Sequence, residues 1–161
     1  MIQKNFFDFS FKSLKHFLIK DLKIDENKVS MRSKQIWQSV YKKGSFEINN
    51  LTTFPLELRS KLNNLISLKR PEITKTQTST DGTIKWLIKL FDGNEVECVY
   101  IPEKTRATLC ISSQVGCTLN CRFCHTGTQR LVKNLSFAEI VNQVIIAKEQ
   151  LNDWGEKKNN N

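Results

Sequence analysis

Three cysteines within eight residues constrain this chain more than any other feature of its sequence. They are Cys117, Cys121 and Cys124, in the segment VGCTLNCRFCHTGTQ. The chain has five cysteines, and an odd number crowded into one stretch argues against a framework of disulfides. Thiols spaced CxxxCxxC are instead typical of a metal site, so we expect a loop that surrounds a metal group.

An iron–sulfur cluster and a zinc ion are the two candidates for that group. Three thiolates can bind three irons of a [4Fe-4S] cluster and leave the fourth iron open to a chelating substrate. Structural zinc needs four ligands, and the fourth would have to be His125, Cys110 or Cys98. The spacing favours the cluster, and zinc remains the alternative.

The loop is predicted to connect a strand to a helix. The strand covers Ala107–Ser112, and Ser136 with Glu139 forms a capping box where the helix begins. Apolar residues then recur at helical spacing from Phe137 to Ile145, which predicts one buried side. A single β-α unit cannot close a parallel sheet, so the chain is expected to be part of a longer fold.

The N-terminal residues 1–70 are predicted to form a small helical domain. Ser10 is expected to cap a helix to Leu22, a second helix runs over 33–43, and a third follows Pro55. The third is predicted to turn four leucines inward: Leu56, Leu58, Leu62 and Leu65. Residues 71–103 alternate in polarity, with Asp-Gly turns at 81–82 and 92–93, which predicts antiparallel strands over 73–78, 83–91 and 95–101.

The net charge of +9, from 25 basic and 16 acidic residues, favours a polyanionic partner such as RNA. A merely solvated basic surface is the alternative. The candidate RNA-binding residues are Arg32, Lys34, Lys42 and Lys43. Trp37 and Tyr41 could stack on bases, but their helical spacing favours a place in the core. The absence of a signal peptide and of a membrane-spanning run predicts a cytoplasmic protein without a membrane partner.

Two stretches resemble one known family. VECVYIPEKTRATLCISSQVGCTLNCRFCHTGTQRLVKNLSFAEIVNQV and MRSKQIWQSVYKKG are similar to radical S-adenosylmethionine (SAM) methyltransferases that modify adenine carbon-2 in bacterial 23S ribosomal RNA. Relatives that modify carbon-8 share the pattern, and we favour carbon-2. The resemblance covers nearly the whole chain but only the front part of the family's length. It implies a [4Fe-4S] cluster and SAM as cofactors, and ribosomal RNA as partner with transfer RNA as a second candidate.

The resemblance also implies the fold class, which is α+β followed by α/β. A helical, RNA-contacting accessory domain (1–70) precedes a β-hairpin linker region (71–103). Residues 104–161 then begin an incomplete radical SAM barrel of the partial TIM type, with the cluster loop in its first β-α unit.

By resemblance, Cys117, Cys121 and Cys124 are the cluster ligands, and two further residues have catalytic roles. Cys110 matches a cysteine that helps to release the methylated adenine from a covalent protein–RNA adduct, and Glu97 matches a general acid/base. Removing a proton from the adenine carbon and attacking the linking sulfur are suitable tasks for a carboxylate and a thiol. On sequence alone, Cys110 could be a buried structural cysteine and Glu97 a solvated carboxylate.

Two parts of the family's machinery have no match in this sequence. These are the methyl-carrying cysteine near the C-terminus and the Gly-Glu-Pro motif that binds SAM. Activity of the chain alone is therefore not expected, and a separate C-terminal fragment is a candidate partner. Three interpretations remain: the front portion of a methyltransferase, an RNA-binding remnant without catalysis, and a zinc-binding fragment.

Overall fold

The computed structural model describes residues 3–117 and 129–154. The chain divides into two compact units, one formed by Met1–Lys69 with Lys148–Asn161 and the other by Arg70–Ala147. No helix in the described part of the chain is long and apolar enough to cross a membrane.

The first unit is mainly helical. Helix α1 covers Phe11–Lys20, α2 covers Glu26–Tyr41 and α3 covers Leu56–Leu65, and a two-residue strand β1 (Lys4–Asn5) pairs in parallel with β2 (Ile66–Ser67). Ser10 caps α1 as predicted, because its Oγ accepts a hydrogen bond of 3.1 Å from the N–H of Ser13.

Two details of these helices differ from the prediction. Helix α2 begins at Glu26 rather than Ser33, since Ser33 is buried inside the helix and its hydroxyl donates to the carbonyl of Val29 at 2.8 Å. Leu56 was expected to point inward but is 74% exposed, whereas Leu62 of the same helix is buried. Leu56 is the first residue of α3, where the chain has only begun to turn.

An aromatic cluster fills the core between α1, α2 and the start of the chain. The Trp37 ring lies 4.6 Å from that of Tyr41, and both rings contact Phe6. Burial raises the pKa of Tyr41 to about 12, because the charged phenolate would lose its water. Trp37 and Tyr41 are half-buried and pack against the buried Phe6, in keeping with the core position that their spacing favoured.

The second unit contains a four-stranded antiparallel sheet in the order β3-β4-β5-β6. Its strands are β3 (Glu72–Thr78), β4 (Ile84–Lys89), β5 (Glu95–Pro102) and β6 (Ala107–Cys110). The sequence pattern predicts a boundary at residue 103, but β5 pairs with β6 across that boundary. The hairpins and the start of the cysteine loop therefore belong to the same unit.

The rest of the second unit surrounds the cysteine loop. Strand β7 (Gln114–Val115) pairs antiparallel with β8 (Lys133–Asn134), and helix α4 covers Phe137–Gln150. Phe137 was expected on the buried side of α4 but is 64% exposed. The buried side instead contains two amides among its apolar residues; it is formed by Ala138, Asn142, Gln143, Ile145, Ile146 and Ala147.

Candidate active site

The two faces of the four-stranded sheet differ in burial. Side chains alternate along a strand, so Trp86, Val96 and Cys98 project from one face, where all three are buried. Glu97 and Val99 project from the other face, which is accessible to solvent. The predicted catalytic residues lie on this open face.

Strand register brings Glu97 and Cys110 to the same face. Cys110 lies directly opposite Val99 in the β5–β6 pair, and Glu97 is two residues before Val99. Residues in such a diagonal arrangement are about 7–8 Å apart, within reach of one substrate. Cys110 is exposed, so it is not the buried structural cysteine that its apolar strand would suggest.

Cys98 is the cysteine that takes the structural role. It is completely buried opposite Trp86. Burial, with a smaller contribution from the neighbouring Cys110 thiol, raises the pKa of Cys98 to about 11. A thiol held in its neutral form is a poor nucleophile, so Cys98 does not fit a reactive role.

Lys85 is a neighbour of Glu97 that the sequence analysis did not single out. It lies opposite Val99 on β4, and its Nζ is 2.9 Å from Oε1 of Glu97. The two side chains line a hollow of about 330 Å³ on the open face, together with Lys75, Gln77 and Leu87. The cation therefore positions the carboxylate beside an accessible hollow. This pair depends on the register between β4 and β5, which cannot be read from the sequence.

The ends of the cysteine loop are joined by backbone contacts. The N–H of Cys117 donates to the carbonyl of Gln129 at 3.1 Å, and the N–H of Val132 donates to Val115 at 2.8 Å. Cys117, the first predicted ligand, is half-buried at this junction. Cys121 and Cys124 lie outside the described residues.

The described geometry fits the predicted cluster. Residues 118–128 connect two chain ends that are hydrogen-bonded to each other, and they contain the other two thiols. Three thiols in a CxxxCxxC spacing are the donor set of an open-site [4Fe-4S] cluster. Among residues 3–117 and 129–154, no three side chains of the metal-binding types come together elsewhere.

Lys133, on the strand after the loop, forms an ion network that was not predicted from the sequence. Lys133 donates to Asp92 in the β4–β5 turn and, at 2.7 Å, to Oε1 of Glu139 in α4. The bond from Lys133 and the N–H of Asn94 lower the pKa of Asp92 from 3.8 to about 2. The same carboxylates raise the pKa of Lys133. From sequence, Asp92 was evident only as a turn residue and Glu139 only as part of a capping box.

The candidate RNA-binding residues differ in their surroundings. Arg32 donates to the carbonyl of Thr53 at 2.6 Å and to Gln35 at 3.1 Å, and its guanidinium lies over the ring of Phe54. Arg32 is therefore engaged within the first unit. The other three candidates are exposed on α2 and the turn after it; they are Lys34, Lys42 and Lys43.

Sequence comparison connects these features to known enzymes. No family model matches the chain. The dual-specificity RNA methyltransferase RlmN of Rhodopseudomonas palustris (strain BisB5) is 50% identical over 137 residues, covering 81% of this chain and 34% of the relative. RlmN of Bradyrhizobium sp. (strain ORS 278) is 47% identical over 144 residues, covering 86% of this chain and 36% of the relative.

This chain is similar to RlmN methyltransferases. It spans about a third of the length of the curated RlmN proteins it matches. A solved structure, a radical SAM methyltransferase from Sphaerobacter thermophilus, superimposes with a TM-score of 0.79 and 30% identity, covering 94% of this chain and 43% of that protein. The mixed α/β fold is therefore that of a radical SAM methyltransferase, a class defined by its use of SAM and an iron–sulfur cluster.

Proposed function

We propose that this chain is the N-terminal portion of a cytoplasmic radical SAM methyltransferase that acts on adenine carbon-2 of 23S ribosomal RNA. Transfer RNA is the second substrate of the proposal, in keeping with the dual specificity in the name of its relatives. The observation that carries the proposal is the placement of Glu97 and Cys110 on one open sheet face, in the strands that precede the cysteine loop.

In this proposal, RNA binding and cluster binding belong to different parts of the chain. Residues 1–70 contact RNA through Lys34, Lys42 and Lys43, and residues 104–161 begin the barrel, with Cys117, Cys121 and Cys124 as cluster ligands. When bound, the cluster and SAM supply the radical chemistry that activates the methyl group. The remaining two thirds of the family's length supply the methyl-carrying cysteine and the Gly-Glu-Pro motif.

Glu97 and Cys110 complete the reaction in this proposal. The Glu97 carboxylate accepts the proton that leaves the adenine carbon, and Lys85 holds that carboxylate over the hollow. The Cys110 thiolate attacks the sulfur that links protein to RNA, so a disulfide forms as the carbon–sulfur bond breaks. The bonding electrons stay on the methylene carbon, which takes up a proton to become the methyl group as the base leaves.

Metal content tests the first step of this proposal. The chain would be expressed without oxygen, reconstituted with iron and sulfide, and assayed for iron, sulfide and zinc beside Cys121→Ala and Cys110→Ala. We expect about four irons and four sulfides per chain, lost in Cys121→Ala and retained in Cys110→Ala, which removes a thiol outside the loop. Zinc in place of iron would favour the zinc-binding alternative. RNA binding without any Cys121-dependent metal would favour the RNA-binding remnant.

A further inference from the structure

One side chain of helix α4 holds the strand that enters the cysteine loop. Gln143 is completely buried, and its Oε1 accepts a hydrogen bond of 2.7 Å from the N–H of Ser112. Its Nε2 donates to the carbonyl of the same residue at 2.8 Å. Ser112 lies between Cys110 and β7, so both polar backbone groups of the entering chain are fixed at one point.

A second side chain of α4 holds the strand that leaves the loop. Glu139 Oε1 accepts the 2.7 Å bond from Lys133 of β8, and its Oε2 accepts one of 2.8 Å from the N–H of Ser136. Burial alone would raise the pKa of Glu139, but the bonds from Lys133 and Ser136 outweigh it and lower the pKa. The carboxylate is therefore held ionised between the two donors.

The two contacts lie on one face of α4. Glu139 and Gln143 are four residues apart, which places them one above the other on a helix. Gln143 Nε2 also donates to the backbone carbonyl of Glu139 at 3.2 Å. We call this pair of side chains the α4 clamp.

We propose that the α4 clamp fixes the two ends of the cysteine loop relative to each other. By fixing Ser112 and Lys133 to one helix turn, Glu139 and Gln143 set the separation of the strands on which the junction at Cys117 is built. That the loop holds a metal group is part of the proposed function. The hydrogen bonds that join the ends of the loop are independent of that proposal. Glu139 and Gln143 are positioning residues, since neither is a thiol ligand.

The clamp predicts local loosening when either contact is removed. In the chain without cofactor, Gln143→Met and Lys133→Met should speed amide hydrogen exchange at Cys117 and Val132 by about tenfold or more, while exchange in the β3–β4 ladder is unchanged. Lys133→Arg should restore the wild-type rates. Asn142→Leu is the matched control, because Asn142 is an equally buried amide on α4 whose side-chain oxygen has no partner among the described residues.

Retention of iron gives a second readout on the reconstituted protein. Both Met variants should release iron to a chelator about tenfold faster than wild type, Asn142→Leu and Lys133→Arg. Unchanged exchange in both Met variants, or equal acceleration throughout the second unit, would overturn the clamp. Failure of wild type itself to bind iron would instead overturn the proposed cluster, and the exchange rates would still decide the clamp.

Discussion

At the scale of single residues, the sheet register separates two cysteines that look alike in sequence. Cys98 and Cys110 both lie in apolar strands, so sequence alone could not show that Cys98 is buried and Cys110 exposed. The pairing of Cys110 with Val99, not Cys98, places the two thiols on opposite faces. A slip of β6 by one residue would place Cys110 on the same face as Cys98.

This separation predicts unequal alkylation of the two thiols. At pH 8 a thiol of pKa about 11 is ionised in about one molecule in a thousand, and Cys98 is also inaccessible. Iodoacetamide should therefore modify exposed Cys110 at least about tenfold faster than Cys98, as measured by peptide mass spectrometry over time. In urea the difference should disappear. Comparable rates in the folded chain would contradict the register.

The low pKa of Asp92 predicts a dependence of stability on pH. The folded pKa is lowered from 3.8 to about 2, so the ionised side chain stabilises the fold above about pH 4. That contribution should be lost as the pH falls from about 4 to about 2. Urea unfolding midpoints of wild type and Asp92→Asn, measured across this range, should converge at the acid end. Parallel curves would show that Lys133 does not stabilise the ionised carboxylate.

At the scale of elements, the turns and helix caps that depend on neighbouring residues could be predicted from the sequence. The Asp-Gly turns, the Ser10 cap and the capping box of α4 all depend on residues within a few positions of one another. The buried amides of α4 do not. The role of Gln143 could not be predicted from its apolar stripe, because its hydrogen-bond partner, Ser112, is 31 residues away. A polar residue within such a stripe is the signal that could have indicated it.

The junction of β7 with the loop predicts a strict need for glycine at position 116. Gly116 has a φ of +73°, and a Cβ atom there would overlap the backbone carbonyl of Arg130. Gly93 has a φ of +88° with no atom near its missing side chain, so it is a matched control. Gly93→Ala should cost about 1 kcal/mol from backbone strain alone. Gly116→Ala should cost more, with faster amide exchange at Cys117. Equal losses of unfolding free energy in urea would refute the close approach.

At the scale of the whole molecule, some of the excess basic side chains are paired with carboxylates, which makes them less available to bind RNA. Lys4, Lys28 and Lys61 each lie within 4 Å of a carboxylate, at 3.8, 3.6 and 2.7 Å respectively. The pairs of Lys28 and Lys61 have helical spacing and are visible in the sequence. The pair of Lys4 with Asp21 depends on a tertiary contact, which the sequence does not show. The exposed lysines near the end of α2 form the better candidate surface for RNA.

This difference among the lysines predicts how RNA binding responds to salt. Replacing Lys34, Lys42 and Lys43 together by glutamine should reduce the slope of log affinity against log salt by about 2, since each phosphate contact on single-stranded RNA contributes about 0.7. Binding of a 23S ribosomal RNA hairpin and of a transfer RNA would be measured by fluorescence anisotropy in a salt series. A control with Lys4, Lys28 and Lys61 replaced loses the same charge from the same unit. If both triple variants lowered the slope equally, the affinity would depend on net charge alone and the α2 surface would have no special role.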